Sequence, residues 1–234
     1  MRLKLIVIIL TLVLAPFASA QENEFSLSID IGLRGTKVES DLDDDDSEDP
    51  EDALDFSAVG PSLSTAFTYR WSDWEAGVRS NMIAGIIGQL KQKAQGSTIT
   101  GRYWYRGISL GPVVKYFSGY TPYKNWEIYV MAGPQYGVVT TEHFDDVNVK
   151  GGSFNKNHRL KYEGAGGMLA LGITRSSKKL TQQIYYELSY KFLSFDTVTV
   201  VSDSLTDTDV ITEEYLDYDL EEHSISLNIG FVLF

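Results

Sequence analysis

Along much of the chain apolar and polar residues alternate with a period of two, the spacing that sends successive side chains to opposite faces of a β-strand. In the first such stretch Phe25, Leu27, Ile29, Ile31 and Leu33 alternate with Ser26, Ser28, Asp30, Gly32 and Arg34. In the last, Ile225, Leu227, Ile229, Phe231 and Leu233 alternate with Ser224, Ser226, Asn228 and Gly230. A third sets Ile184, Tyr186, Leu188, Tyr190 and Phe192 against Tyr185, Glu187, Ser189 and Lys191. An amphipathic helix would not keep this phase for ten residues. Fainter alternation predicts five more strands, near 58–70, 74–88, 99–116, 126–140 and 159–175. Within them Ile108, Leu110, Pro112 and Val114 share a face, as do Ile128, Val130, Ala132, Pro134, Tyr136 and Val138, and Leu169, Leu171 and Ile173.

Eight strands, an even number, suit closure of an antiparallel up-and-down barrel. The connections sort by length. Those at Ser72-Asp73, Ser118 to Asn125 and Ser176 to Lys179 are short or moderate, whereas 35–57, 89–98, 141–158 and 195–218 are mostly longer and polar. Outer-membrane barrels alternate periplasmic turns with external loops in this way, which would place both termini on the periplasmic side. Three Gly-Pro pairs, Gly60-Pro61, Gly111-Pro112 and Gly133-Pro134, fall inside predicted strands. Proline removes a ladder donor, so bulges or strand ends are expected there.

The N-terminus predicts export. Arg2 and Lys4 precede an uncharged apolar run from Leu5 to Phe17, and Ala18-Ser19-Ala20 offers a small-residue cleavage site before Gln21. This is the three-part pattern of a signal peptide over 1–20, and thirteen apolar residues are too few to span a bilayer comfortably as a helix. Residues 21–234 then form one barrel domain, with no later stretch apolar enough for a membrane helix. The absence of cysteine removes lipoprotein acylation, disulfides and thiol chemistry together. After cleavage 18 basic residues face 32 acidic ones, a balance of -14, but eleven acids fall between Glu39 and Asp55 and nine between Asp196 and Glu221. Acidity therefore belongs to two segments, and nucleic-acid binding is not expected.

The whole mature length resembles the small barrels of the OmpA and OmpX kind, within the broad outer-membrane β-barrel domain family. The chain ends Asn228-Ile229-Gly230-Phe231-Val232-Leu233-Phe234. The resemblance implies that the terminal aromatic Phe234 is read by the barrel-assembly machinery, that lipid and lipopolysaccharide surround the protein, and that it is a monomer. The residue two before the end is Val232 rather than an aromatic, and the apolar phase runs through Phe231 and Leu233, a departure from that family's usual pattern.

Candidate chemistry lies inside the barrel. The expected inward set is Asp30, Arg34, Arg79, Lys115, Glu127, Glu187, Lys191 and Glu222, either an ion pathway or, in so narrow a barrel, a salt-bridged polar plug. The acidic stretch Asp41 to Asp55 has Asp46 where a calcium loop of the EF-hand type needs glycine, so a solvated acidic loop is expected and no metal site. His143 and His158 are expected in a loop without a nucleophile at fixed spacing. His223 precedes Ser224, and adjacent strand residues point to opposite faces. Some outer-membrane lipid deacylases carry a His-x-Ser on a strand, but here Ile225 stands two after His223. No catalytic residue, cofactor or metal is therefore assigned, and the expected function is a non-enzymatic structural or surface-interaction barrel. The alternatives are a small pore, a soluble lipocalin-like carrier with the opposite facing, and a lipid-modifying enzyme.

Overall fold

The alternating stretches pair into one closed antiparallel sheet in a computed structural model that describes residues 24–40, 56–94, 97–143, 148–150, 158–175, 183–202, 212–216 and 220–233. In chain order the strands are β1 (Glu24–Ser40), β2 (Phe56–Trp71), β3 (Trp74–Ala94), β4 (Ser97–Phe117), β5 (Trp126–His143), the short β6 (Asn148–Lys150), β7 (His158–Arg175), β8 (Ile184–Ser202), the short β9 (Thr212–Leu216) and β10 (Leu220–Val232). Eight long strands make the wall, and β6 and β9 pair outside it, on β4 and β8. The wall closes because β10 pairs with both β8 and β1, from Ser28 opposite Val232 to Ser40 opposite Leu220. Closure leaves the wall no edge to be capped. The predicted signal segment, the acidic stretch 41–55 and Phe234 lie outside the described residues.

The period-two pattern decides which face meets which solvent. Phe25, Ile31, Leu33, Phe67, Val78, Leu110, Val130, Leu171, Leu188, Leu227 and Phe231 all point outward and are exposed. On β3 the outward apolar face runs from Trp74 to Ile86, thirteen residues. That is roughly 40 Å of strand and about 30 Å of height at the ~40° tilt of such barrels, the thickness of a hydrocarbon core. This facing is the reverse of a soluble ligand-carrying barrel.

The short connections are turns that need unusual backbone. Ser72 (φ 53°) turns the chain between the paired Trp71 and Trp74, and Gly119 (φ 65°) and Asn125 (φ 62°) turn it between β4 and β5. At the opposite, loop end the strands run further than the sequence predicts. β3 and β4 pair as far as Ala94 and Ser97, and β7 and β8 as far as His158 and Ser202. His143 and His158 therefore close strands instead of lying in a loop, a correction to the expectation for both. The added residues 89–94 are mostly polar and break the alternation that marks the belt in sequence.

The Gly-Pro pairs correct a second expectation. They are neither bulges nor strand ends: the register is the same on both sides of each pair. The described bulges lie near the loop end instead, after Ile87 and after Glu163. Each proline stays paired on one side, Leu33 with Pro61, Val78 with Pro112 and Pro134 with Gly167. On the other side the ladder lapses, between Val59 and Ser62 and between Leu110 and Val114. Gln135 Nε2 donates to the Pro134 carbonyl at 3.0 Å, standing in for the donor that Pro112 lacks. The glycines let the backbones close up here. A Cβ on Gly133 would lie 2.0 Å from the Pro112 carbonyl oxygen, and one on Gly111 1.9 Å from that of Pro134. Gly133→Ala is thus expected to destabilise the barrel by about 1–3 kcal/mol, while Gly35→Ala, whose Cβ meets nothing within 4 Å, changes it by less than about 0.5 kcal/mol. Urea titration of folding in detergent micelles measures both.

Candidate functional site

The inward face carries the only dense chemistry among the described residues. All eight sequence-predicted inward residues point into the lumen: Asp30, Arg34, Arg79, Glu187, Lys191 and Glu222 are buried, and Lys115 and Glu127 lie partly buried toward the turn end. The structure adds Glu75 and Arg70, which phase along the sequence did not single out, so five basic residues face five acidic ones.

At the centre is a triad. Arg79 Nη2 lies 3.0 Å from Asp30 Oδ2 and 2.8 Å from Glu187 Oε1, and Nη1 reaches Glu187 Oε2 at 3.1 Å. The guanidinium fork thus holds Glu187 through two parallel bonds, the strongest geometry available to a carboxylate. Its Nε donates to Asn81 Oδ1 at 3.0 Å. The acids are shared further: Tyr129 donates to Glu187 at 2.9 Å and Tyr185 to Asp30 at 3.0 Å. Both tyrosines lie flat over a glycine of the neighbouring strand, Gly172 under Tyr129 and Gly230 under Tyr185, where a Cβ would meet the ring at 2.2 and 2.0 Å. Ser109 and Gln135 join through Asn81, and Ser62, Ser189 and Ser226 through Asn228. Seven of the eight wall strands contribute a side chain; β7 instead lends glycine.

Two further clusters flank the triad. Toward the turns, Glu75 accepts from Thr68 at 2.6 Å and pairs with Lys115 at 3.1 Å, while Arg70 sits 3.6 Å from Glu127 and stacks on Phe117. Toward the loops, Glu222 takes Lys191 at 2.9 Å, Tyr105 at 2.7 Å and the Ser224 hydroxyl. Beyond Glu222 the lumen changes character. Val38, Phe56, Ala58, Ile83, Ile87, Tyr103, Tyr105, Val139, Tyr162, Leu193, Phe195 and Leu220 form one buried apolar cluster to which every wall strand contributes. Leu193 reaches over Gly137, whose missing Cβ it would meet at 2.4 Å. This is a complete collar.

On β1 and β10 the outer face turns polar at the level of the collar, whereas on β2 and β3 Val59 and Ile86 stay outward and apolar beside Ala58 and Ile87. Lys37 pairs with Glu39, Lys161 with Glu163, Arg106 with Glu142 at 3.6 Å and His223 with Glu221 at 3.3 Å. The hydrogen bond from Lys37 holds the Glu39 carboxyl below the usual carboxylate range, and bonds from Lys161 and Tyr136 do the same for Glu163. These ionised pairs mark where the apolar belt ends. His223 faces outward against Tyr190, 2.7 Å from its hydroxyl, and Phe192, while Ser224 points inward at Glu222. The two residues are therefore on opposite faces, as the alternation predicts.

No protein-family model matches the chain, and no curated protein matches its sequence. Solved structures do match its shape. A major outer membrane protein from Thermus thermophilus superposes with a TM-score of 0.55 at 8% identity, over 89% of this chain and 98% of that one. The outer membrane protease OmpT from Escherichia coli matches at 0.43 and 9% identity over 92% and 100%, and the attachment invasion locus protein Ail of Yersinia pestis at 0.32 and 15% over 89% and 99%. The fold is that of an outer-membrane β-barrel.

Removing one member of a buried ion network strands the others. Arg79→Met is expected to destabilise the folded barrel by about 3–5 kcal/mol, and replacing the triad together, Asp30→Leu, Arg79→Met and Glu187→Leu, to recover much of that loss. Urea unfolding in lipid vesicles reads both changes.

Proposed function

We propose that the mature chain is a monomeric barrel of the bacterial outer membrane with a closed lumen. Its role is structural or interactive and non-enzymatic, carried by the acidic segments it holds outside the cell. The observation that carries this reading is the double polarity of the wall: an apolar belt outside, a balanced and largely paired set of charges inside, and an apolar collar toward the loop end. Such an interior keeps a hydrogen-bonded wall rigid in lipid without offering a solute a path. A pore would need a hydrated path lined by side chains, whereas Leu193, Phe195 and Tyr162 are buried in one apolar cluster toward the loop end.

In this reading residues 1–20 are removed on export, and the acidic stretch from Glu39 to Asp55 faces the medium with the one from Asp196 to Glu221. The partners are the surrounding lipid and lipopolysaccharide and, during insertion, the assembly machinery that reads the strand ending in Phe234. The likeness to the OmpA and OmpX kind of barrel fits this role. An enzymatic reading would have to rest on His223, whose described contacts on the outer face are Tyr190, Phe192 and Glu221; Ser194 shares that face, opposite Glu221, but no described contact joins it to His223.

Electrophoresis of the outer-membrane fraction with and without boiling tests the proposal. A closed barrel resists detergent until heated, so a boiling-dependent shift in mobility is expected, together with silence in a planar bilayer. Recovery from the soluble periplasmic fraction without a shift would overturn the location, and steady single-channel steps would overturn the closed lumen.

A further inference from the structure

Charge beyond the belt is divided between two sides of the barrel. The stretches 39–55 and 196–221 carry eleven and nine acids and no lysine or arginine, and they adjoin β1, β2, β8 and β10, which are neighbours in the wall. The loop-end extensions of β3 and β4, with β6, have the opposite sign. Segments 88–94, 97–102 and 148–150 hold Lys91, Lys93, Arg102 and Lys150 and no acid. The acids nearest in sequence are Glu142, which Arg106 meets at 3.6 Å, and Asp145 and Asp146 between β5 and β6. Register gathers the cations on one face. β4 runs unbroken from Ser97 to Phe117, so positions 98, 100 and 102 keep the outward phase of Arg106 and Ile108. Thr98 pairs with Lys93 on one side and Lys150 on the other, and Thr100 with Lys91 and Asn148. The bulge after Ile87 makes this possible, because one extra residue on β3 takes Lys91 and Lys93 out of the inward phase that Ile83 and Ile87 occupy. The result is a track with threonine on its central strand and cations on both flanking strands, which stand about 10 Å apart.

We propose that this track binds one chain of an extended anionic polysaccharide outside the membrane, through sulfate, phosphate or carboxylate groups repeated along it. The inference goes beyond the role proposed above and rests on its placing of the loop end outside the cell. Like charges gathered on one face of a sheet repel, a cost that a bound anion offsets. Along β4 the rows at Arg102, Thr100 and Thr98 follow one another every second residue, about 7 Å, a step that suits the repeated charges of a polymer better than one small anion. Height argues against lipid headgroups as the ligand. From Arg106, at the edge of the belt, to Thr98 is about 27 Å of strand and about 20 Å of height at a tilt of ~40°, whereas headgroups add only about 5–8 Å to each side of the hydrocarbon core. The upper rows, with Lys91, Lys93 and Lys150, therefore stand clear of that layer.

Fluorescence anisotropy of labelled dextran sulfate, titrated with the full barrel in nanodiscs of neutral lipid at physiological salt, tests it. Saturable binding is expected, with none for uncharged dextran of the same length. Replacing Lys91, Lys93 and Lys150 together by glutamine should weaken binding roughly ten-fold. Lys124→Gln, Lys178→Gln and Lys179→Gln remove the same charge at the turn end and should change it less than about two-fold. A further variant, Lys91→Gln, Gln92→Lys, Lys93→Gln and Ala94→Lys, keeps the net charge while moving both lysines to the other phase of β3, and should weaken binding several-fold. Equal losses in the two triple variants, or no loss on moving the lysines, would overturn the track. Binding that appears only once the acids of 41–55 are replaced by their amides would overturn it too, since this chain's own anions would then hold the face. No binding by an unaltered chain that keeps its boiling-dependent shift would overturn the track alone; loss of that shift would instead indict the barrel reading.

Discussion

A guanidinium held between two carboxylates in the middle of a lipid-embedded tube is the interaction on which the rest depends. In the belt region lipid takes every outward position, so each polar side chain the strands carry must turn inward, into a space about as wide as the side chains themselves. Charges confined there are tolerable only in balanced and hydrogen-bonded sets. Arg79 meets this demand by offering one fork to Glu187 and a shared nitrogen to Asp30, acids that stand on strands distant in sequence. The triad consequently links β1, β3 and β8 across the lumen. Tyrosines seated on Gly172 and Gly230 complete the shell of the two acids.

The second constraint is the position of the water boundary. Between Arg34 and Val38 on β1, and between Ser224 and Leu220 on β10, the inward residues change from polar to apolar. Over the same level the outward residues change from Leu33 and Ile225 to Lys37, Glu39, His223 and Glu221. Once the outside of the wall is wet, an apolar interior gains its burial in the ordinary way of a soluble sheet. The barrel is thus two structures stacked on the same strands, a polar-cored tube in lipid and an apolar-cored rim above it.

Most of the fold was legible because the belt imposes strict alternation. All eight wall strands fall where the period-two pattern puts them, and the eight inward charges that phase singles out all face the lumen, with Arg70 and Glu75 passed over. What escaped has a physical reason in each case. The strand ends beyond the belt escaped differently: 89–94 carries polar residues in both phases, whereas Thr197 to Val200 alternate but stand beside the long polar, acidic run that follows. The Gly-Pro pairs look like breaks because proline cannot donate, and only the facing pair at Pro112 and Pro134, with Gln135 to replace the donor, shows why the strand continues. The collar was missed because Tyr103, Tyr162 and Phe195 occupy the inward phase that further down holds serine and aspartate. A glycine in the inward phase, as at 137, 172 and 230, was the available signal that a large side chain from another strand lies there.

Polarity that exchanges along a single strand is the central claim, and the absence of cysteine from the chain allows it to be read directly. Spin labels on single introduced cysteines, replacing in turn Phe25, Ile29, Leu33, Lys37 and Glu39 on the outer face of β1, would be relaxed by oxygen, which partitions into lipid, or by a water-soluble nickel chelate. Oxygen should dominate from Phe25 through Leu33 and the chelate from Lys37 onward, with the crossover between them. Strong relaxation by the chelate at Ile29 would mean that no lipid covers this face, and would contradict the stacked two-part barrel.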